Sequence, residues 1–128
     1  MKGLFSPNAP HQHIARSIAI VWTLLIFVLC LMPAHEVPKV DVPLADKWTH
    51  FVLFGVFSFA WCAAKPGASA RYSWLVLLWS VFLGCFIEYL QGYFASLGRS
   101  PEVMDAVADA IGGGLGVVLF ALGRRLTR

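Results

Sequence analysis

The sequence has few charged residues and few cysteines. Asp, Glu, Lys and Arg make up 13% of the 128 residues, against roughly a quarter in an ordinary soluble domain. The three cysteines are an odd number without a CxxC pair, which argues against a disulfide framework or a zinc site. The basic residues are scattered between apolar runs, so a nucleic-acid partner is not expected. Without a linker or an internal repeat, residues 1–128 are predicted to form one domain.

Four long apolar runs occupy most of the chain. A bilayer core needs about 20 mostly apolar helical residues to cross it, so each run predicts a membrane-spanning helix. The predicted spans are approximately residues 16–32, 48–64, 73–91 and 103–122. The expected fold is therefore an all-α integral membrane protein, a bundle of four transmembrane helices with short loops.

Lysine and arginine are unevenly distributed between the segments that flank these runs. Seven lie in the N-terminus, the second connection and the C-terminus, whereas the first and third connections hold only Lys39, Lys47 and Arg99. Positively charged flanks favour the cytoplasmic side. We therefore predict a multi-pass protein with both termini in the cytoplasm and membrane lipids around it.

The acidic residues are grouped as well. In the predicted topology all seven fall in the outer half, namely Glu36, Asp41, Asp46, Glu88, Glu102, Asp105 and Asp109. A charge within the hydrocarbon region costs about 2.5 to 3.5 kcal/mol on insertion scales, so such side chains normally face a cavity or pair with one another. This grouping predicts a polar layer beneath the outer surface.

Three helices and one loop supply polar groups to this layer. The predicted pocket residues are Asp46, Lys47, His50, Glu88, Gln91, Arg99, Asp105 and Asp109. Residues three or four apart, such as Asp46 and His50, share one helix face. Lys47 and Arg99 would either neutralise the carboxylates and fix helix register or bind a ligand. Because the acids outnumber the two permanent bases, a binding site is favoured over a purely structural network.

Glycines follow the acidic pair of the fourth helix. Gly112 and Gly116 continue close to the face of Asp105 and Asp109. Small residues at this spacing let two helix backbones approach closely. We therefore predict a helix-packing role for Gly112 and Gly116.

Several of these residues form motifs similar to those of one family. DKWTHF at 46–51 resembles a D-K-x-x-H-F helix opening, EYLQ at 88–91 an E-x-x-Q pair, and GRS at 98–100 a G-R-S loop. The stretch 105–116 resembles D-x-x-x-N-x-x-G-x-x-x-G, with Asp109 in the place of Asn. Together these motifs resemble the VanZ-like family.

VanZ-like proteins are small multi-span membrane proteins named for a component associated with resistance to the glycopeptide antibiotic teicoplanin. The resemblance covers about residues 40–120. It implies a VanZ-like antibiotic-resistance protein of the cell envelope, located in the bacterial cytoplasmic (inner) membrane.

The function expected from the polar layer is to bind or process an envelope molecule. Candidate ligands are an anionic lipid headgroup, a lipid-linked cell-wall precursor and a glycopeptide-type antibiotic. Lys47 and Arg99 would hold a phosphate or carboxylate, since guanidinium groups bind such anions well. No nucleophile with an adjacent base is identifiable, so catalytic residues are unknown and enzyme activity is left open. No cofactor is predicted. His50, Glu88, Asp105 and Asp109 are chemically suitable metal ligands. Because they lack a diagnostic spacing, a metal site is only a weaker alternative and none is predicted.

Two other functions are compatible with the sequence. A proton or cation pathway would use the same carboxylates, but the inner half of the second helix, residues 51–60, is almost wholly apolar. A structural or assembly subunit would instead pack the glycine-rich fourth helix against a second copy or another membrane protein. This second reading makes a homo-oligomer the alternative expectation.

Overall fold

The computed structural model describes residues 3–127 and contains four α-helices in that range. These are α1 (Gln12–Cys30), α2 (Ala45–Ala63), α3 (Ala70–Tyr93) and α4 (Val103–Leu126). Short 3₁₀ turns lie in the first and third connections, at Ala34–Glu36 and Ala95–Leu97. The predicted all-α fold with four helices is confirmed.

Most helices extend beyond the apolar runs that predicted them. The first helix begins at Gln12 instead of residue 16, the second at Ala45 instead of 48, and the fourth ends at Leu126 instead of 122. Hydropathy marks the part of a helix suited to the hydrocarbon core, whereas backbone hydrogen bonding continues into polar flanking turns. As a result, Asp46 and Lys47 lie inside the first turn of α2.

Three helices are long and apolar enough to cross a membrane. Mean hydropathy reaches 2.0 in α1, 1.7 in α3 and 1.8 in α4. The helix α2 is not among them, because Asp46, Lys47 and His50 in its first two turns lower its hydropathy. Four crossings with cytoplasmic termini therefore stay a prediction.

The side chains that face away from the core, around the sides of the bundle, are strongly apolar. Val21 on α1 is 65% exposed, Trp74 on α3 is 70% exposed and Val118 on α4 is 51% exposed. Large contiguous apolar patches are rare on soluble monomers, but lipid tails solvate such side chains well. This surface fits a protein of the membrane.

The helix α2 packs against each of the other three helices. Its most extensive contact is with α4, where glycines let the two backbones approach. A Cβ atom on Gly112 would overlap the carbonyl oxygen of Phe51, and one on Gly116 would overlap that of Gly55. Gly112 and Gly116 thus pack against α2 of the same chain.

An apolar core fills the space between α1, α2 and α3. Its fully buried members include Ile26, Phe54 and Ile87. The ring of His50 stacks on that of Phe54 with 6.5 Å between centroids. This contact places the polar side chain of His50 directly on the apolar core.

Candidate functional site

A polar cluster lies where α2 and α4 begin and α3 ends. Its seven members are Asp46, Lys47, His50, Glu88, Glu102, Asp105 and Asp109. Three helices and the connection before α4 therefore contribute to one group of ionisable side chains. Six of the seven are among the predicted pocket residues, and Glu102 is the exception.

Lys47 is surrounded by carboxylates. Its ammonium Nζ lies 2.5 Å from Asp46 Oδ2 and 2.9 Å from Asp105 Oδ1, and it also contacts the Glu102 carboxylate. The Lys47 side chain is 19% exposed. Because its charge is shared among these neighbours, Lys47 is not free to bind an anionic ligand.

His50 connects α2 to both acids of α4. Its Nδ1 lies 2.8 Å from Asp109 Oδ1, and its Nε2 lies 3.7 Å from Asp105 Oδ2. All three residues are buried, with Asp109 completely enclosed. When Asp109 is ionised, its carboxylate only accepts hydrogen bonds, so Nδ1 donates to it and a neutral imidazole then keeps its lone pair on Nε2. That lone pair faces Asp105 at a distance too long for a good hydrogen bond.

Glu88 joins the end of α3 to the start of α4. Its Oε2 accepts a 2.7 Å hydrogen bond from the backbone N–H of Glu102, the residue that precedes α4. Amides at a helix start lack partners within their own helix, so Glu88 supplies one from a neighbouring helix. Its other oxygen, Oε1, is buried and accepts no hydrogen bond from the residues described.

Gln91 bonds to the end of α1 rather than to a carboxylate. Its Nε2 donates to the Cys30 carbonyl oxygen at 2.8 Å. This carbonyl lies in the last turn of α1, where intrahelical partners are missing. Gln91 therefore ties α3 to α1 beside the polar cluster.

Arg99 makes the same kind of contact from the third connection. Its Nε donates to Met32 O at 2.9 Å and its Nη2 to Leu29 O at 3.1 Å. Gly98 adopts φ 66° just before it, a left-handed conformation that glycine accepts at little cost. The turn directs the guanidinium to the end of α1, so these bonds engage Arg99 with carbonyls instead of the carboxylate pairs.

The polar cluster carries a surplus of acid. It holds five carboxylates against one lysine and one histidine. Asp109 Oδ2, like Glu88 Oε1, is buried without a hydrogen-bond partner among residues 3–127. Asp105 Oδ1 also lacks a hydrogen bond of good geometry, but the Lys47 ammonium 2.9 Å away pairs with it electrostatically. Buried polar atoms without partners are rare and costly. The Glu88 oxygen can therefore accept a hydrogen bond from a bound group, whereas Asp109 is completely enclosed.

Sequence reasoning did not place Glu102 in the site. Its side chain binds Lys47 and its backbone N–H binds Glu88. The one sequence signal was its membership of the outer acidic group. Helical spacing gave no further help, because Glu102 precedes α4 and shares no helix face with the other acids.

The polar cluster is accessible from outside where its exposed acids, Asp46 and Glu102, lie at the surface. Asp46 and Glu102 have side chains that are 55% and 51% exposed, whereas His50 and Asp109 lie beneath them. Two cavities lie elsewhere in the bundle and include no residue of the polar cluster. One is a cleft of about 610 Å³ lined by Pro66 and Arg124. The other is a groove of about 560 Å³ lined by aromatic side chains of α1, α2 and α3. A large ligand would thus meet the exposed acids first.

The chain matches a known family model over nearly its whole length. A family model described as VanZ/LLP1 matches residues 4–124 of the chain. The matched range runs from before α1 into the last turns of α4 and includes every residue of the polar cluster. No curated protein and no solved structure matches the chain.

Proposed function

Because the chain belongs to the VanZ-like family, we propose that it is a membrane protein whose polar cluster binds or processes an envelope molecule at the outer face. One observation carries the proposal. The buried carboxylate oxygen Oε1 of Glu88 has no hydrogen-bond partner among the described residues. A bound ligand would provide the partner that the protein itself does not.

The charges of the cluster indicate the chemistry of this ligand. Lys47 is held by carboxylates and Arg99 by carbonyl oxygens, so neither favours a phosphate. Carboxylates accept hydrogen bonds from hydroxyl and ammonium groups. We therefore favour a glycopeptide-type antibiotic, or the sugar and peptide part of a lipid-linked cell-wall precursor, over an anionic headgroup. Both carry sugar hydroxyls and amines that these oxygens can accept from.

The experiment uses teicoplanin sensitivity of bacteria that produce the protein. We expect wild-type protein to lower sensitivity, and His50→Ala and Glu88→Gln to remove this protection with normal protein amounts in the membrane. The matched control is Glu36→Gln, because Glu36 is an exposed acid in the connection between α1 and α2. Unchanged sensitivity of the His50 and Glu88 variants would count against the proposal.

Arg99 provides a second comparison in the same assay. If Arg99 binds the ligand, Arg99→Lys keeps its charge and should retain part of the protection. If it acts through the carbonyls of Leu29 and Met32, Arg99→Lys should lower protein amount and protection together. We expect the second result. A normal amount of Arg99→Lys protein that retains part of the protection would instead assign Arg99 to ligand binding.

The assembly alternative has less support. It needs the glycine face of α4 to be available to another protein, but Gly112 and Gly116 already face Phe51 and Gly55 of the same chain. A second copy would have to separate α2 from α4 to reach them. We therefore place binding at the polar cluster ahead of assembly through this face.

A further inference from the structure

Three members of the polar cluster lie close enough together to share an ion. One ligand atom from each of His50, Glu88 and Asp105 lies within 4.8 Å of the others. The three residues come from α2, α3 and α4 respectively. Their separation in the sequence explains why no metal was expected from ligand spacing: the fold, and not a local motif, brings the atoms together.

We propose that His50, Glu88 and Asp105 bind a divalent transition-metal ion. The ligands are His50 Nε2 and one carboxylate oxygen each from Glu88 and Asp105. One imidazole with two carboxylates suits Zn²⁺ and also Mn²⁺. Water or the envelope ligand would complete the coordination.

The orientation of His50 supports this assignment. Its Nδ1 is held by Asp109 Oδ1 at 2.8 Å, while Nε2 faces Asp105. Histidines that ligate metals usually donate their second ring N–H to a carboxylate or carbonyl, which fixes the ring and its tautomer. Asp109 is therefore a positioning residue that acts through His50.

Glu88 gives an independent reason to expect a bound cation. The Glu88 side chain is 8% exposed, and its Oε1 has no hydrogen-bond partner in the described part of the chain. No lysine or arginine of residues 3–127 lies within 4 Å of its carboxylate. A buried carboxylate without a positive charge beside it is costly, and a dication beside Glu88 and Asp105 would offset that cost.

A second acidic group shows why the assignment is specific. Ligand atoms of Asp46, Glu102 and Asp105 also lie within 4.8 Å of one another. There, however, Lys47 contacts all three carboxylates, so its ammonium already occupies the position of a cation. In the group around His50, Lys47 pairs with Asp105 alone and does not contact His50 or Glu88, so we assign the ion to this group.

The inference concerns the same cluster as the proposed function, but the two can fail separately. Metal binding is measured on purified protein in detergent, without any envelope molecule. Drug sensitivity is measured in cells. If the purified protein binds an ion but gives no protection in cells, the metal site is supported and the proposed function is not.

The test uses the full chain, purified without a polyhistidine tag and stripped with a chelator. After dialysis against Zn²⁺ or Mn²⁺, elemental analysis should find about one ion per chain. Glu88→Gln and His50→Ala should each bind at least tenfold more weakly. Glu36→Gln and a His11→Ala/His13→Ala double variant should bind normally, since these residues lie outside the cluster.

Asp109→Asn separates positioning from structural damage. We expect affinity to fall about 10- to 100-fold, with the visible spectrum of a Co²⁺-loaded sample altered and the thermal midpoint of the metal-free protein little changed. Absence of a bound ion in folded wild-type protein would overturn the proposal. So would equal loss in the Glu36 or His11/His13 variants, because the ion would then be bound at the surface.

Discussion

The interface between α2 and α4 has two dissimilar halves. Near the start of both helices, Lys47 and His50 meet Asp105 and Asp109 through charge and hydrogen bonds. Further along, Gly112 and Gly116 meet the backbone of α2 with no side chain between them. Lipid tails are as apolar as leucine, so helices in a membrane associate through packing and polar contacts. Each half of the interface relies on one of these two kinds of contact. The glycines set the distance between the helices, and the ion pairs set their register.

The largest expected loss of stability comes from a substitution in the glycine half of the interface. In Gly112→Ala the new Cβ would overlap the Phe51 carbonyl oxygen, and a backbone neighbour cannot rotate away. We expect a loss of about 3 kcal/mol in the free energy of unfolding, measured by SDS titration in mixed micelles. The matched control is Gly114→Ala, because a Cβ there meets nothing within 4 Å. Equal stability of the two variants would contradict close packing at Gly112.

The next effect removes charge from the polar half. Lys47→Met leaves the carboxylates of Glu102 and Asp105 without the ammonium that contacts them. We expect a loss of about 2 kcal/mol, measured in the same titration. Lys39→Met is the control, since Lys39 lies exposed in the connection before α2. If both lysine variants unfold alike, Lys47 does not stabilise the polar half.

A smaller change tests where the halves meet. A Cβ on Gly84 of α3 would lie 2.7 Å from Asp109 Oδ2, so Gly84→Ala should push this carboxylate away from His50. We expect a loss of about 1 to 2 kcal/mol and a shifted His50 ring resonance in NMR spectra. An unchanged resonance would mean that Asp109 adapts without leaving His50.

The smallest effect concerns two hydroxyls beside the glycines. Ser58 Oγ and Ser80 Oγ are buried around Gly113 and have no hydrogen-bond partner among the described residues. Removing an unpaired buried hydroxyl relieves a desolvation cost, so Ser58→Ala should change stability by less than about 1 kcal/mol, in the stabilising direction. A clear destabilisation would reveal a polar partner for Ser58 and extend the polar half into the glycine half.

The four helices could be predicted from the sequence because apolar runs long enough to cross a membrane are rare in soluble proteins. Their ends could not, since helical backbone continues past the apolar run, as at Gln12 and Leu126. The polar turn of α2 illustrates the limit. Asp46 and Lys47 were identified as site candidates, but they lie inside the helix whose start was placed after them.

The partners of the site residues were beyond the sequence. Spacing along one helix shows which residues share a face, but not which neighbour that face meets. Arg99 was expected near carboxylates and instead donates to Leu29 and Met32 carbonyls, because backbone acceptors at a helix end leave no trace in residue type. Glu102 was missed for a related reason, since one of its two contacts in the cluster is a hydrogen bond from its backbone N–H to Glu88.

The bond between His50 and Asp109 has a consequence for biosynthesis. The two residues are 59 positions apart in the chain, a stretch that a ribosome needs about 3 to 12 seconds to translate. If α2 crosses the membrane, its polar first turns reach the bilayer before their partners on α4 exist. Nascent α2 must therefore wait in a hydrated position, beside the insertion machinery or at the lipid headgroups. A chain that stops before α4 should leave α2 accessible to water-soluble labels, whereas the complete chain should protect it.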